Sequence, residues 1–426
     1  MRPGACRVLA CAFILLAATA PAAAQVSKLA YPGDRLAYIS GGKLYVGFPK
    51  ARLVRGPGSA FQPAFSFDGQ WLAFLRQQWN GYDASSQLWL ARGDGTSARV
   101  VTSMGRVSVD SFQWSPSADV LAVQFMSAKG DPLPIQLIPV QGEAHDVPHH
   151  LQGSFLWLSD GGTLAIAATS RSGYTRLDLV RKTGVRSYSV PGIGRYDPVK
   201  LAAWWPAAHS IVYWLDRGGC SSCIADGTPL YAFDVHAGTT RRLRVGLIYR
   251  DWIAVSGIHL LAVIGGPRSA FYGKHLELCL ATGPCRILHG PRPGSITLDP
   301  ALAPNGGRMA FVAAPAWNTW GFQSPAKYWN WLGAHVLWIT QPDGSGVKRA
   351  GAEVPKGVQD PQWTRDGRGI LFVKDGALWL DPHLGAANPT PIARLVPAHF
   401  VPNFQKPAYQ GWYYGHMNWH DLFAWY

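Results

Sequence analysis

Glutamate is almost missing from these 426 residues: it occurs only as Glu143, Glu277 and Glu353. Charged side chains of every kind make up 15% of the chain. Coiled coils and long solvated helices need far more, so both are excluded. Long apolar runs are lacking too, apart from one at the N-terminus, so nothing later in the chain spans a bilayer. What is abundant is glycine (47), proline (32) and tryptophan (19). That many helix breakers exclude a helical bundle, and that many aromatics exclude disorder and collagen. The composition favours a turn-rich β protein.

The N-terminal run has the form of an export signal. Arg2 and Arg7 precede the apolar stretch 8–20, and Ala22-Ala23-Ala24 supplies a small-residue cleavage pattern before Gln25. Cys11 does not fit a lipidation site, because most of the apolar run follows it. Residues 1–24 are therefore read as a removed signal, which places the mature chain in the periplasm or outside the cell. Removal takes away two arginines, so the formal charge falls from +14 to +12. The basic residues are scattered and form no stripe, which argues against nucleic acid as a partner. A diffuse positive surface suits anionic envelope polymers or lipid headgroups, or serves solubility alone.

Four cysteines remain: Cys220, Cys223, Cys279 and Cys285. An even number in an exported chain suggests two disulfides. Cys279 and Cys285 flank a Gly-Pro turn and fit a bridge across neighbouring strands. Cys220 and Cys223 have redox spacing, but glycines and a turn surround them where a redox motif needs a helix N-terminus, so a loop staple is the better reading.

Internal repetition is the dominant pattern. Residues 63–75 (PAFSFDGQWLAFL), 300–312 (PALAPNGGRMAFV) and 361–373 (PQWTRDGRGILFV) share one form, and 112–123 (FQWSPSADVLAV) follows it. Each is a short strand, a tight Asp-Gly-type turn and a second apolar strand. Leu-Trp strands follow at 88–89, 337–338 and 378–379, then further Asp-Gly turns at 94–95 and 343–344. Such turns need positive φ, which Gly, Asn and Asp tolerate. Weaker copies begin near 35, 155, 201 and 252. Eight units between 26 and 396 give about 46 residues each. Four strands at that period predict a β-propeller, with eight blades preferred and seven the alternative. Closure of the ring has two candidates: a strand at 26–30, or one from the tail beyond Ala408.

The S-x-D-G-x-x-L-A-F, L-W-x…D-G-T…R form resembles the TolB-like propeller repeat, also found in prolyl-oligopeptidase-type propellers. The resemblance covers residues 25–400, leaving 401–426 as an aromatic-rich tail that packs on or closes the propeller. TolB resembles a six-bladed propeller with a separate N-terminal domain. Here the repeats start directly after the signal and number eight, and no peptidase domain follows. The resemblance implies a protein-interaction role in the cell envelope.

Catalytic motifs are absent: no G-x-S-x-G, no H-E-x-x-H and no phosphate-binding G-x-x-x-x-G-K-[ST]. Seven aspartates, Asp68, Asp94, Asp160, Asp226, Asp343, Asp366 and Asp375, fall in Asp-Gly turns, where they bond their own backbone. Asp299 and Asp360 differ. Each precedes a proline at the same register, just before the first strand of its unit, with Asp197 and Asp251 more loosely equivalent. First strands line a propeller channel, so these carboxylates crowd one rim, where they suit a cation or a basic peptide; the alternative is that Asp-Pro only sets a bend. His416 and His420, with Asp421, and the stretch 145–150 (HDVPHH) are weak metal patterns, and neither metal nor cofactor is implied. Aromatics concentrate in an insertion, with Trp317, Trp320, Trp329 and Trp331, and in the tail. They either anchor a partner or plug the propeller. The leading expectation is an exported, non-catalytic scaffold with an envelope or secreted protein partner. The alternative is a glycan-binding or glycan-cleaving propeller that stacks sugars on aromatics and uses channel aspartates as acid and base.

Overall fold

A computed structural model describes residues 35–80, 83–101, 108–169, 175–190, 199–215, 228–246, 249–265, 271–317, 324–385, 388–396 and 416–426. The proposed signal, Cys220, Cys223, Asp197 and Trp320 lie outside these residues. The chain forms eight antiparallel four-stranded blades, an eight-bladed β-propeller. Blades 2 to 8 run in chain order over 59–100, 108–146, 153–189, 199–246, 253–288, 295–349 and 359–394. Blade 1 is composite. Leu36–Ser40, Lys43–Val46 and Arg52–Val54 supply three strands, and Phe423–Trp425 from the tail supplies the innermost one. First and last segments are thus joined in a single sheet, which pairs a strand edge that would otherwise be open.

The apolar runs of the middle strands follow from blade stacking. In blade 2, Leu72 and Phe74 face one core cluster while Ala73 and Leu75 face another. In blade 8, Leu371 and Val373 face the first cluster, and Ile370 and Phe372 a different one. A strand buried on both faces loses polar alternation, so WLAFL and ILFV read as continuous runs. The outermost strands reverse this. Arg99–Val100 and Lys348–Arg349 are short and exposed, and charge on such edges discourages pairing with another chain.

Turn chemistry fixes the hairpins. Asp68 Oδ1 accepts from Gln70 N at 2.9 Å, and Asp366 Oδ1 from Arg368 N at 2.9 Å. The glycines after them, Gly69 and Gly367, have φ near +68° and +67°, a left-handed conformation that a side chain disfavours. Cys279 and Cys285 are register partners on adjacent strands of blade 6 and are disulfide-bonded.

The aromatic insertion of blade 7 contains one α-helix, Pro325–Leu332. Ser324 caps it, its side chain accepting from Lys327 N at 3.3 Å, and Pro325 occupies the first turn, where no backbone donor is needed. Tyr328, Trp331 and Leu332 of this helix share one buried cluster with Met417, Trp419, Leu422 and Phe423 of the tail. Trp331 donates through Nε1 to Pro315 O at 2.8 Å and packs against Phe271. Insertion and tail therefore pack together against the propeller. Among the described residues no helix is long and apolar enough to cross a membrane.

Candidate functional site

The innermost strands of blades 2, 7 and 8 carry the same irregularity. Gln62-Pro63, Asp299-Pro300 and Asp360-Pro361 each place two residues opposite one on the neighbouring strand. These are β-bulges, and the residue before each proline has φ of 50°, 47° and 47° respectively. Such φ values are strained for a non-glycine residue and are retained where the surrounding structure demands them. Asp110 sits at a related shift in blade 3. Asp251 and Asp421 occupy short 3₁₀ turns that lead into the inner strands of blades 6 and 1. Six blades thus carry a carboxylate or amide at or just before the inner strand, five of them lining one cavity.

A cavity of about 750 Å³ lies against this ring. Asp110, Asp251, Asp360, Asp421, His416 and His420 supply its ionisable lining together with Arg250, and Phe112, Tyr249 and Trp363 give it aromatic walls. Behind it is a chamber of about 20 Å³, room for a single water, reached by Asp299, Tyr328 and His335. Asp251, Asp360 and His416 border both spaces.

The two histidines come from the tail and close onto carboxylates far away in sequence. His416 Nε2 lies 2.8 Å from Asp251 Oδ2, and its ring stacks on Tyr249 at 4.1 Å. His420 Nε2 lies 2.9 Å from Asp360 Oδ1, with Gln362 Nε2 3.0 Å from the other ring nitrogen. Asp299 is held from two sides: Trp252 Nε1 donates to Oδ1 at 2.8 Å, and the Asp360 backbone N–H donates to Oδ2 at 3.2 Å.

These contacts separate the protonation states. Burial opposes charge on Asp251, but the adjacent His416 outweighs it and holds the carboxyl below its usual range. Burial likewise opposes charge on His420, yet Asp360 and Asp251 raise its pKa to about 9. His416 is raised against burial by Asp251, Asp299 and Asp360. Asp299 has less compensation, and burial with its acidic neighbours lifts it to about 6. Burial also raises Asp421, against a hydrogen bond from Gln62. At neutral pH the His420 imidazole is therefore a cation paired with Asp360, and the acidic neighbours of His416 favour its charged form beside Asp251.

Of the sequence candidates, Asp251, Asp299 and Asp360 come together here. Asp299 and Asp360 are neighbours, but Asp299 belongs to the rear chamber and does not face Asp360 across the open cavity. Trp331 is buried, Trp317 is half-buried, and Trp329 presents an exposed ring. Sequence reasoning missed Gln62 and Asp110 altogether, and took His416, His420 and Asp421 for a local pattern. The signal for Gln62 was its proline, which aligns with those after Asp299 and Asp360. Of the other histidine pattern, His150 pairs only locally with Asp146, at 3.0 Å.

No protein-family model matches the chain, and no curated protein sequence is similar to it. Solved structures are similar at low identity. An oligogalacturonate lyase in complex with manganese shares 13% identity over 88% of this chain and 87% of its own, with a TM-score of 0.45. The β-propeller domain of the trilobed protease from Pyrococcus furiosus shares 11% over 84% of this chain and 98% of its own, at 0.44. An oligogalacturonate lyase from Vibrio parahaemolyticus shares 12% over 84% of each chain, at 0.44. What these proteins have in common with this chain is the β-propeller fold.

Proposed function

We propose that the chain is an exported, non-catalytic propeller of TolB-like type that serves the cell envelope as an interaction scaffold, holding a segment of a partner protein in its channel. The observation that carries this reading is the pairing of His416 with Asp251 and of His420 with Asp360. An imidazolium pinned on a carboxylate is a poor general base near neutral pH, whereas a catalytic base works best with a pKa close to the operating pH. Asp299, the acid nearest that range, lies behind the cavity. The site is equipped to hold a ligand and ill equipped to transfer its protons.

Two further carboxyl groups indicate what is held. Asp110 and Asp421 line the cavity outside the His416–Asp251 and His420–Asp360 pairs, on blades 3 and 1 flanking Gln62 of blade 2. Arg250 lies on blade 6, across the ring from blade 2. A basic side chain seats on the Asp110–Asp421 side, and Arg250 faces the carbonyls of the same segment. The test is crosslinking in intact cells with the tagged protein. A specific envelope protein is expected with wild type and is lost with Asp110→Asn/Asp421→Asn, while thermal stability stays within about 1 kcal/mol of wild type. Unchanged recovery with the double variant overturns the reading.

The rings of Phe112, Tyr249 and Trp363 favour a second reading, an oligosaccharide stacked in the same cavity. Binding of uncharged glycans that survives Asp110→Asn/Asp421→Asn selects it.

A further inference from the structure

A second open cavity, of about 540 Å³, lies away from the channel where blade 6 hands over to blade 7. Tyr272, His275, His289, Arg292 and Ser295 line it, with the 290–294 loop (GPRPG) as its lip. The lining holds no acidic side chain. The surrounding sequence is equally one-sided. Between Trp252 and Pro342 the only acids are Glu277 and Asp299, against Arg268, Lys274, Arg286, Arg292, Arg308 and Lys327. Glu277 is buried, and Asp299 belongs to the channel site.

The basic groups are held in place. The rings of His275 and His289 meet edge to face at 5.7 Å, and His275 Nδ1 is buried without a hydrogen-bond partner among the described residues. Burial and the neighbouring His289 keep His275 below its ordinary pKa. Pro291 and Pro293 fix φ on both sides of Arg292. Arg292 O accepts from Ser295 N at 3.0 Å, closing the turn. A Cβ on Gly290 would meet Ser295 at 2.5 Å, and Gly294 has φ of +75°. Burial of His275 beside His289, with the Arg292 loop at the same cavity, disfavours added positive charge at His275, and a bound negative charge reverses that.

We propose that this cavity binds an oxyanion, such as a phosphate group, carried on a larger organic body. Arg292 and the two histidines take the oxyanion, by charge-assisted hydrogen bonds to a guanidinium and to imidazole donors. The cavity is far larger than one such group, and Tyr272, 55% exposed, offers a ring face to the rest of the ligand.

The experiment follows the ring carbon–proton resonances of His275 and His289 in the full-length protein. Probes are inorganic phosphate, glucose 6-phosphate, glucose and phosphatidylglycerol vesicles. Saturable shifts of both histidines with glucose 6-phosphate, and none with glucose, are expected; shifts with vesicles alone assign the oxyanion to a lipid headgroup. Arg292→Ala should weaken binding about tenfold, and Arg292→Lys by less, with the melting temperature unchanged because Arg292 is exposed. Glucose binding as well as its phosphate, no saturable shift with any probe, or indifference to Arg292→Ala overturns the proposal.

Discussion

A single proton on His420 ties the tail to blade 8. Its pKa stands at about 9 in the folded chain against an ordinary 6.5. A histidine raised on folding contributes fully below 6.5, and its contribution drains away as pH rises through 9. The whole shift corresponds to ~3 kcal/mol, but 44% of the side chain is exposed, so screening leaves about 1 kcal/mol. Asp299 acts in the same direction, since its pKa of about 6 makes the folded chain take up protons above the ordinary carboxylate range. Asp251 acts oppositely and is lost in acid, because its carboxyl is held low. The melting temperature should therefore fall between pH 6.5 and 9, and His420→Gln should flatten that slope; a calorimetric pH series checks both. At this scale the sequence was legible where chemistry was local. The turn aspartates, and Asp299 and Asp360 before their prolines, stand out by spacing alone. The partners of His416 and His420 do not, because each pair joins residues that only ring closure brings together.

At the scale of elements, the insertion helix and the tail depend on each other. Trp331 is 5% exposed, hydrogen-bonded through its indole and packed on Phe271. Truncation to alanine should cost about 3–5 kcal/mol through lost contacts and a residual cavity. Trp329, two residues earlier, is 42% exposed, and its alanine variant should lie within about 0.5 kcal/mol of wild type. Denaturant melts of the two variants separate buried from exposed tryptophan on one short helix. The strands were readable from the repeat because every blade restates the same turn and the same apolar run. The helix was not, because the insertion has no counterpart in other blades. Its start was nevertheless written in Ser324-Pro325, a cap followed by a residue suited to a first turn.

For the whole molecule, blade number followed from counting repeats, while closure did not, since 26–30 and the tail both offered apolar strands. The structure uses Phe423–Trp425, which pairs with Leu36, Ala37 and Tyr38. Backbone bonds from Arg35 N to Tyr426 O and from Ile39 N to Leu422 O extend the seam. Removing residues 422–426 leaves the inner edge of Leu36–Ser40 unpaired and should produce self-associated species on gel filtration, whereas the full chain should run as one size. The seam also orders events in time. Among the described strands those within 36–46 leave the ribosome first, yet the sheet they belong to is incomplete until position 425 has emerged. Every nascent intermediate therefore carries an open blade, and any factor that shields that edge during synthesis would act on the earliest strands of the chain, not the latest.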